Sequence, residues 1–147
     1  MLTRRSRARE VALQLLFQTD QNPTPVPRHA IEKFVRERLH DEAELVAYCL
    51  SLVDGIALHR AEIDPRIAAT AENWRLARMM PVDRNVLRLG AFELLFAVDG
   101  PPLEVVIDEC IELARRFGSK DSGGFVNGVL DKLARAKPVA TPAVAEG

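Results

Sequence analysis

One nearly continuous apolar stretch constrains the fold of this chain more than any other feature. Residues 86–98 read VLRLGAFELLFAV, and only Arg88 and Glu93 among them are charged. A helix that is apolar on all sides has to be surrounded by other helices. We therefore predict a buried central helix over residues 81–98. Glu93 lies either at the rim of the bundle or in a pair with an arginine such as Arg88, and we favour the pair. Gly90 lowers the helix propensity by about 1 kcal/mol, so a neighbouring helix is expected to pack closely against it.

Most other segments also carry apolar residues at helical spacing, and no hairpin signal separates alternating strands. We predict an all-α fold of about seven helices. The proline-rich residues 21–27 end the first helix by about Thr19. Asp64 and Pro65 have the order of a helix cap and a first-turn proline, so one helix is predicted to end there and another to begin. Trp74 is predicted to pack between helices.

The length of the chain and its charge distribution limit the domain organisation. The 147 residues suffice for one domain, which at this size buries about two-thirds of its unfolded surface. We predict a single helical domain over residues 1–136 and a disordered tail over residues 137–147, which lack periodicity. The net charge of −1 does not indicate a nucleic-acid partner for the chain as a whole. The first nine residues, however, contain no acidic residue and four basic ones: Arg4, Arg5, Arg7 and Arg9.

Several kinds of chemistry have no signature in this sequence. Cys49 and Cys110 are far apart and belong to no CxxC pair, so we predict buried free thiols. The three histidines do not have metal-binding spacing, and the sequence has neither a nucleophile elbow nor a phosphate-binding loop. We therefore predict no enzyme activity, no cofactor and no metal. Without a signal peptide or a long apolar run, the chain is expected in the cytoplasm and not in a membrane.

The first helix, RRSRAREVALQLLFQ, combines a basic start with two apolar sides. One side has the spacing of a core-facing stripe. Leu13 and Phe17 fall on roughly the opposite side, where they contact either another helix of the same bundle or a partner protein. The arginines before them are either solvated, as charge runs usually are, or bind the phosphates of a nucleic acid.

The second unusual stretch is SKDSGGFVNGVLDK, which starts at Ser119. Ser122 is a candidate cap of the last helix, whose free N–H groups and the nearby Lys120 suit a phosphate. Phe125 lies in the first turn of that helix. Its ring either packs in the core or stacks on an unpaired RNA base.

Three stretches of the chain resemble, in order, the NusB family of transcription antitermination factors. They are RRSRAREVALQLLFQ, VDRNVLRLGAFELL and FGSKDSGGFVNGVLDK, of which the last is the most specific. The resemblance extends over nearly the whole chain up to about residue 137. It implies an all-helical fold of two small packed bundles.

The resemblance also implies partners. Members of the family bind the boxA element of rRNA leader transcripts together with a small-subunit ribosomal protein, named NusE in this role, in a complex on RNA polymerase. Single-stranded boxA RNA, this ribosomal protein and the polymerase complex are thus the implied partners. The sequence leaves open whether the chain also forms a homodimer.

The resemblance assigns functions to particular residues. The implied RNA-binding positions are basic, polar or aromatic: Arg4, Arg5, Arg7, Arg9, Lys120, Asp121, Ser122 and Phe125. Arg75 and Arg78 are weaker RNA-binding candidates, because only proximity suggests them. The implied contacts with the ribosomal protein are Phe17 and Asp83, to which we add Leu13 on the same side of the first helix.

The sequence leaves two other functions open. One is a protein–protein adaptor that uses Leu13 and Phe17 while its arginines stay solvated. The other is the NusB-like domain of an rRNA cytosine methyltransferase fusion.

Overall fold

The computed structural model describes residues 4–72, 75–98 and 100–136. Within these ranges the chain forms six α-helices and one 3₁₀ turn, with no strand, which confirms the all-α prediction. The elements in chain order are α1 (Arg4–Gln21), α2 (Arg28–Arg38), α3 (Ala43–Ala71), the 3₁₀ turn (Leu76–Arg78), α4 (Pro81–Leu95), α5 (Leu103–Phe117) and α6 (Ser122–Arg135). The predictions for Trp74 and for a disordered tail over residues 137–147 lie outside the described residues.

Helix α4 is the centre of the structure, as the apolar stretch predicts. It packs against α1 and α3 on one side and against α5 and α6 on the other. Every residue from Asn85 to Glu93 is buried, and Val86, Leu87 and Leu89 are fully inaccessible. The helix ends at Leu95, three residues before the predicted end. Two bundles, α1–α3 and α4–α6, thus share one core across α4.

The predicted helix boundary at Pro65 is wrong, because α3 is one continuous helix of 29 residues that contains this proline. Ile63 and Ile67 lie on either side of Pro65, and both are fully buried. The side chain of Asp64 accepts a hydrogen bond of 2.9 Å from Nε of Arg88. Burial of the two isoleucines and this ion pair keep the helix continuous although the proline provides no N–H.

Helices α5 and α6 pack closely against Gly90, as we predicted from the presence of a glycine inside helix α4. A Cβ atom at this position would lie 2.7 Å from Cδ1 of Leu130 and 3.0 Å from Sγ of Cys110. Both distances are shorter than a normal van der Waals contact between heavy atoms. The glycine therefore allows α4 to approach α5 and α6.

We expect Gly90→Val to lower the free energy of unfolding by about 1–3 kcal/mol, because the added methyl groups overpack the core. Urea unfolding followed by circular dichroism measures this change. Gly128→Val is the matched control, since Gly128 is exposed on α6 and a Cβ there would have no neighbour within 4 Å. The control should change stability by no more than about 0.5 kcal/mol. Equal stability of the two variants would contradict the close approach at Gly90.

Candidate nucleic-acid and partner interface

The arginines at the start of α1 have different environments. Arg4, Arg5 and Arg7 are exposed. Nη2 of Arg4 lies 2.8 Å from Oε1 of Glu42, and the guanidinium of Arg5 stacks 4.4 Å above the centre of the Tyr48 ring. Arg7 has no ion pair with any residue that the structure describes. These three side chains thus form a cationic surface at the beginning of α1.

Arg9 does not belong to this surface. Its side chain is 3% exposed, and its Nε donates a hydrogen bond of 2.7 Å to Oε1 of Glu93, which is 1% exposed. Burial disfavours the charge of Arg9, but the hydrogen bond and the negative charge of Glu93 outweigh it and raise the pKa of Arg9. The prediction that Glu93 pairs with an arginine is therefore confirmed, but its partner is Arg9 and not Arg88.

Two further groups complete the buried cluster around Arg9 and Glu93. The hydroxyl of Tyr48 donates a hydrogen bond to Glu93, and Glu109 lies 3.5 Å from the Arg9 guanidinium. Burial and the adjacent charge of Glu93 raise the pKa of Tyr48, so its hydroxyl remains a donor at neutral pH. The cluster joins α1, α3, α4 and α5, and it supports the ring on which Arg5 stacks.

The loop between α5 and α6 is held by Ser122. The side chain of Ser122 is buried, and its Oγ accepts a hydrogen bond of 2.9 Å from the backbone N–H of Ser119. The expectation that Ser122 caps α6 is wrong, since α6 has no side-chain cap. Lys120 and Asp121 are exposed at the turn of this loop. Ser122 thus shapes the loop, whereas Lys120 and Asp121 face the solvent.

A groove between this loop and the start of α4 brings several predicted site residues together. We name it the methionine groove after two of its residues, and its lining consists of Arg78, Met79, Met80, Asp83, Ser119, Asp121 and Phe125. Phe125 is half-buried and packs against the core. One part of the ring therefore packs against the core, and the other part lines the groove. Arg75, the other weak candidate, is exposed but does not line this groove.

Asp83 is the buried polar residue of the methionine groove. It is 7% exposed, and its Oδ1 has no hydrogen-bond partner among the residues that the structure places. A buried acceptor without a donor costs about 1–3 kcal/mol. A molecule that fills the groove and offers an N–H or O–H group would remove this cost.

A second groove lies along the second half of α1. We name it the phenylalanine groove, and its lining consists of Leu13, Gln14, Phe17, Gln18, Phe34, Arg38, Val82 and Phe117. Leu13 is buried at its base, whereas Phe17 and Phe117 are 38% and 39% exposed. Leu13 and Phe17 thus line one surface, as predicted. Asp83 lines the methionine groove instead, although its neighbour Val82 lines the phenylalanine groove.

Both grooves have lining residues at the start of α4, which is held by a partly buried polar network. Asp20 accepts hydrogen bonds from Nε of Arg84 at 2.6 Å and from Nδ2 of Asn85 at 2.9 Å. Burial disfavours the charge of Asp20, but these hydrogen bonds and the charge of Arg88 lower its pKa. The network ties the end of α1 to α4, and so it sets the positions of Val82 and Asp83.

Sequence reasoning missed six of the eight residues that line the phenylalanine groove, and three of them show why. Phe34 and Phe117 have the spacing of core residues, and Arg38 has the pattern of a solvated helix face. No feature of the sequence shows that Phe117, at the end of α5, meets the middle of α1. Only the tertiary arrangement of α1, α2 and α5 places these side chains around one groove.

The structure shows no reactive or metal-binding cluster in the residues it covers. No group of three or more potential metal ligands occurs among them. Burial raises the pKa of the Cys49 thiol to about 12, and it also raises that of Cys110. Both thiols are buried and free, as predicted. None of the helices described is long and apolar enough to span a membrane.

The fold is that of a small all-helical domain, with two bundles around α4. Its surface carries exposed arginines at the start of α1 and two grooves. The sequence signature of the NusB family matches residues 6–135, and the chain therefore belongs to the NusB family. This result confirms the resemblance seen in the three sequence stretches.

Named relatives match over nearly their full length. The transcription antitermination protein NusB of Anaeromyxobacter dehalogenans (strain 2CP-1) is 48% identical, over 95% of this chain and 96% of the relative. That of Bdellovibrio bacteriovorus is 38% identical, over 92% and 98%. The family to which the chain belongs is thus one of transcription antitermination proteins.

Solved structures have the same fold. NusB of T. maritima is 38% identical and superimposes with a TM-score of 0.80, over 92% of this chain and 93% of that one. A crystal structure of antitermination factors NusB and NusE in complex with double-stranded RNA contains a chain that is 29% identical, with a TM-score of 0.81, over 93% and 100%. The two-bundle arrangement predicted from the family resemblance is therefore confirmed.

Proposed function

We propose that this protein is a transcription antitermination factor that binds the boxA RNA of rRNA leader transcripts. It does so together with the small-subunit ribosomal protein that acts as NusE, in a complex on RNA polymerase. The observation that carries the proposal is that one chain presents exposed arginines at the start of α1, a groove lined by Phe125 and a second, largely apolar groove lined by Phe17. The similar NusB chain solved with NusE and RNA supports the same pairing of partners. In this function the protein works in the cytoplasm without catalytic activity of its own.

The RNA-binding half of the proposal uses the exposed cations and Phe125. Arg4, Arg5 and Arg7 hold phosphates, which positions the RNA without reading its sequence. An unpaired base stacks on the exposed part of Phe125 in the methionine groove, between Arg78 and Asp121. We assign Arg9 and Ser122 supporting functions, because the first is ion-paired in the core and the second holds the loop.

The partner-binding half uses the phenylalanine groove. Phe17 and Phe117 expose apolar area there, and Leu13 forms its base. Burial of such area stabilises a complex by about 25 cal/mol per Å² before the costs of association. Asp83 lines the methionine groove and follows Val82 of the phenylalanine groove in the chain, so its unpaired Oδ1 accepts a hydrogen bond from a part of the ribosomal protein that extends beyond the phenylalanine groove.

Removing exposed arginines should reduce the salt dependence of RNA binding. For a single strand, each phosphate that an arginine no longer neutralises lowers the slope of log K against log salt by about 0.7. We therefore expect the double variant Arg5→Ala, Arg7→Ala to lower the slope by about 1.4. Filter binding at several salt concentrations measures this slope, with boxA RNA in single-stranded and in double-stranded form. A scrambled RNA of the same length tests whether the binding is specific for the boxA sequence.

Arg135→Ala is the matched control for the arginine variants. Arg135 is exposed at the end of α6, ten residues or about 15 Å along the helix from Phe125. Its removal should leave the slope within about 0.3 of the wild-type value. An unchanged slope in the double variant would reject the arginine surface. Equal affinity for boxA and scrambled RNA, with the ribosomal protein present, would reject the function itself.

A further inference from the structure

We infer that Arg38 and Gln14 form a polar clamp in the phenylalanine groove, which selects a protein segment carrying a carboxylate beside an apolar side chain. The inference rests on the proposed function, because the segment belongs to the ribosomal protein that this groove is proposed to bind. It names the chemistry by which the groove recognises its partner.

Arg38 is the first half of the clamp. Its guanidinium lies 4.5 Å above the centre of the Phe34 ring, an arrangement that restricts the orientation of the planar group. Arg38 has no ion pair with a residue in the described parts of the chain. By contrast, Arg28 on the same helix binds Asp54 at 2.6 Å, and Arg36 is close to two acidic side chains. Arg38 is thus oriented by a ring and keeps its hydrogen-bond donors available to a carboxylate.

Gln14 is the second half of the clamp. Its Oε1 is buried and has no hydrogen-bond partner within the described part of the protein. An amide oxygen in this condition needs an N–H donor. The backbone of an inserted protein segment carries such a donor at nearly every residue. Arg38 and Gln14 line the same groove, so one occupant could offer an acceptor to the first and a donor to the second.

The remaining lining of the groove favours a protein over an RNA. The other side chains are apolar except for Gln18, and no acidic residue is among them. An apolar side chain of the partner would be buried between Phe17 and Phe117. A carboxylate beside it in the partner would face Arg38. An RNA strand carries repeated phosphates, for which one guanidinium is a poor match.

Charge reversal at Arg38 tests the clamp. We expect Arg38→Glu to weaken binding of the ribosomal protein from the same genome about tenfold or more, because a carboxylate would then face a carboxylate. Arg38→Gln should give an intermediate loss. Isothermal titration calorimetry measures both affinities, and circular dichroism verifies that the variants are folded. Binding of boxA RNA without the ribosomal protein should remain unchanged in both.

Two further variants make the test specific. Arg36→Glu is the matched control, since Arg36 is exposed on the same helix but does not line the groove. It should change the affinity for the ribosomal protein less than about threefold. Gln14→Leu should weaken this affinity severalfold while the protein stays at least as stable, because the unpaired buried oxygen is removed.

The outcomes separate this inference from the function on which it rests. If the wild-type protein does not bind the ribosomal protein at all, the partner half of the proposed function fails and the clamp with it. If the wild type binds but Arg38→Glu binds equally well, only the clamp is rejected. If Arg38→Glu weakens RNA binding in the absence of the ribosomal protein, the groove holds RNA and a protein occupant is rejected.

Discussion

Replacing Glu93 with alanine is expected to lower the free energy of unfolding by about 3–5 kcal/mol. The substitution leaves Arg9 charged in the core, where its side chain is 3% exposed and Glu109, at 3.5 Å, is its one remaining counterion among the described residues. It also removes the acceptor of the Tyr48 hydroxyl. Urea unfolding followed by circular dichroism gives the free energy directly.

Two comparisons identify the cause of this destabilisation. Glu42→Ala breaks the exposed pair with Arg4 and should cost no more than about 1 kcal/mol. The double variant Arg9→Met, Glu93→Leu removes both charges and should be considerably more stable than Glu93→Ala. A destabilisation by Glu93→Ala no greater than that by Glu42→Ala would show that the Arg9–Glu93 pair is not buried.

The second large effect concerns RNA. We expect Phe125→Ala to weaken boxA binding by about 1–3 kcal/mol, or about 5- to 150-fold, because one base loses its stacking surface. The ring is half-buried, so the same change also removes packing against the core. Filter binding at constant salt measures the RNA affinity, and thermal unfolding measures the decrease in stability.

Phe125→Leu separates stacking from core packing. Leucine keeps most of the apolar volume against the core, which costs less than about 1.5 kcal/mol, but it provides no aromatic face. The leucine variant should therefore remain folded and lose RNA affinity nearly as the alanine variant does. If it binds boxA with wild-type affinity, Phe125 belongs to the core alone and the base must be bound elsewhere.

The helices were predictable where the preferences of neighbouring residues along the chain favour the same structure as the packing of the core. Periodic apolar residues define α1, α5 and α6, and the continuous apolar stretch places α4 at the centre. The rule for Pro65 failed because burial of Ile63 and Ile67, two residues away on either side, outweighs one missing hydrogen bond. The residues next to Pro65 in the sequence do not show that Ile63 and Ile67 are buried by other helices.

The candidate site was predictable in its residue types more than in its geometry. The basic cluster and the loop before α6 are visible as unusual stretches, and the family resemblance identifies both. Phe117 and Arg38 were not predictable as groove residues, because each has the pattern of an ordinary helix position. Their proximity to Phe17 depends on the tertiary arrangement of α1, α2 and α5.

By itself, the amino-acid sequence determined the all-helical fold, the central position of α4 and membership of the NusB family. These properties follow from local periodicity and from motifs that are continuous along the chain. Only the tertiary structure decided that Arg9 enters the core while Arg5 and Arg7 stay at the surface. The physical reason is that a buried charge requires an opposite charge at contact distance, and Glu93 is 84 residues away along the chain.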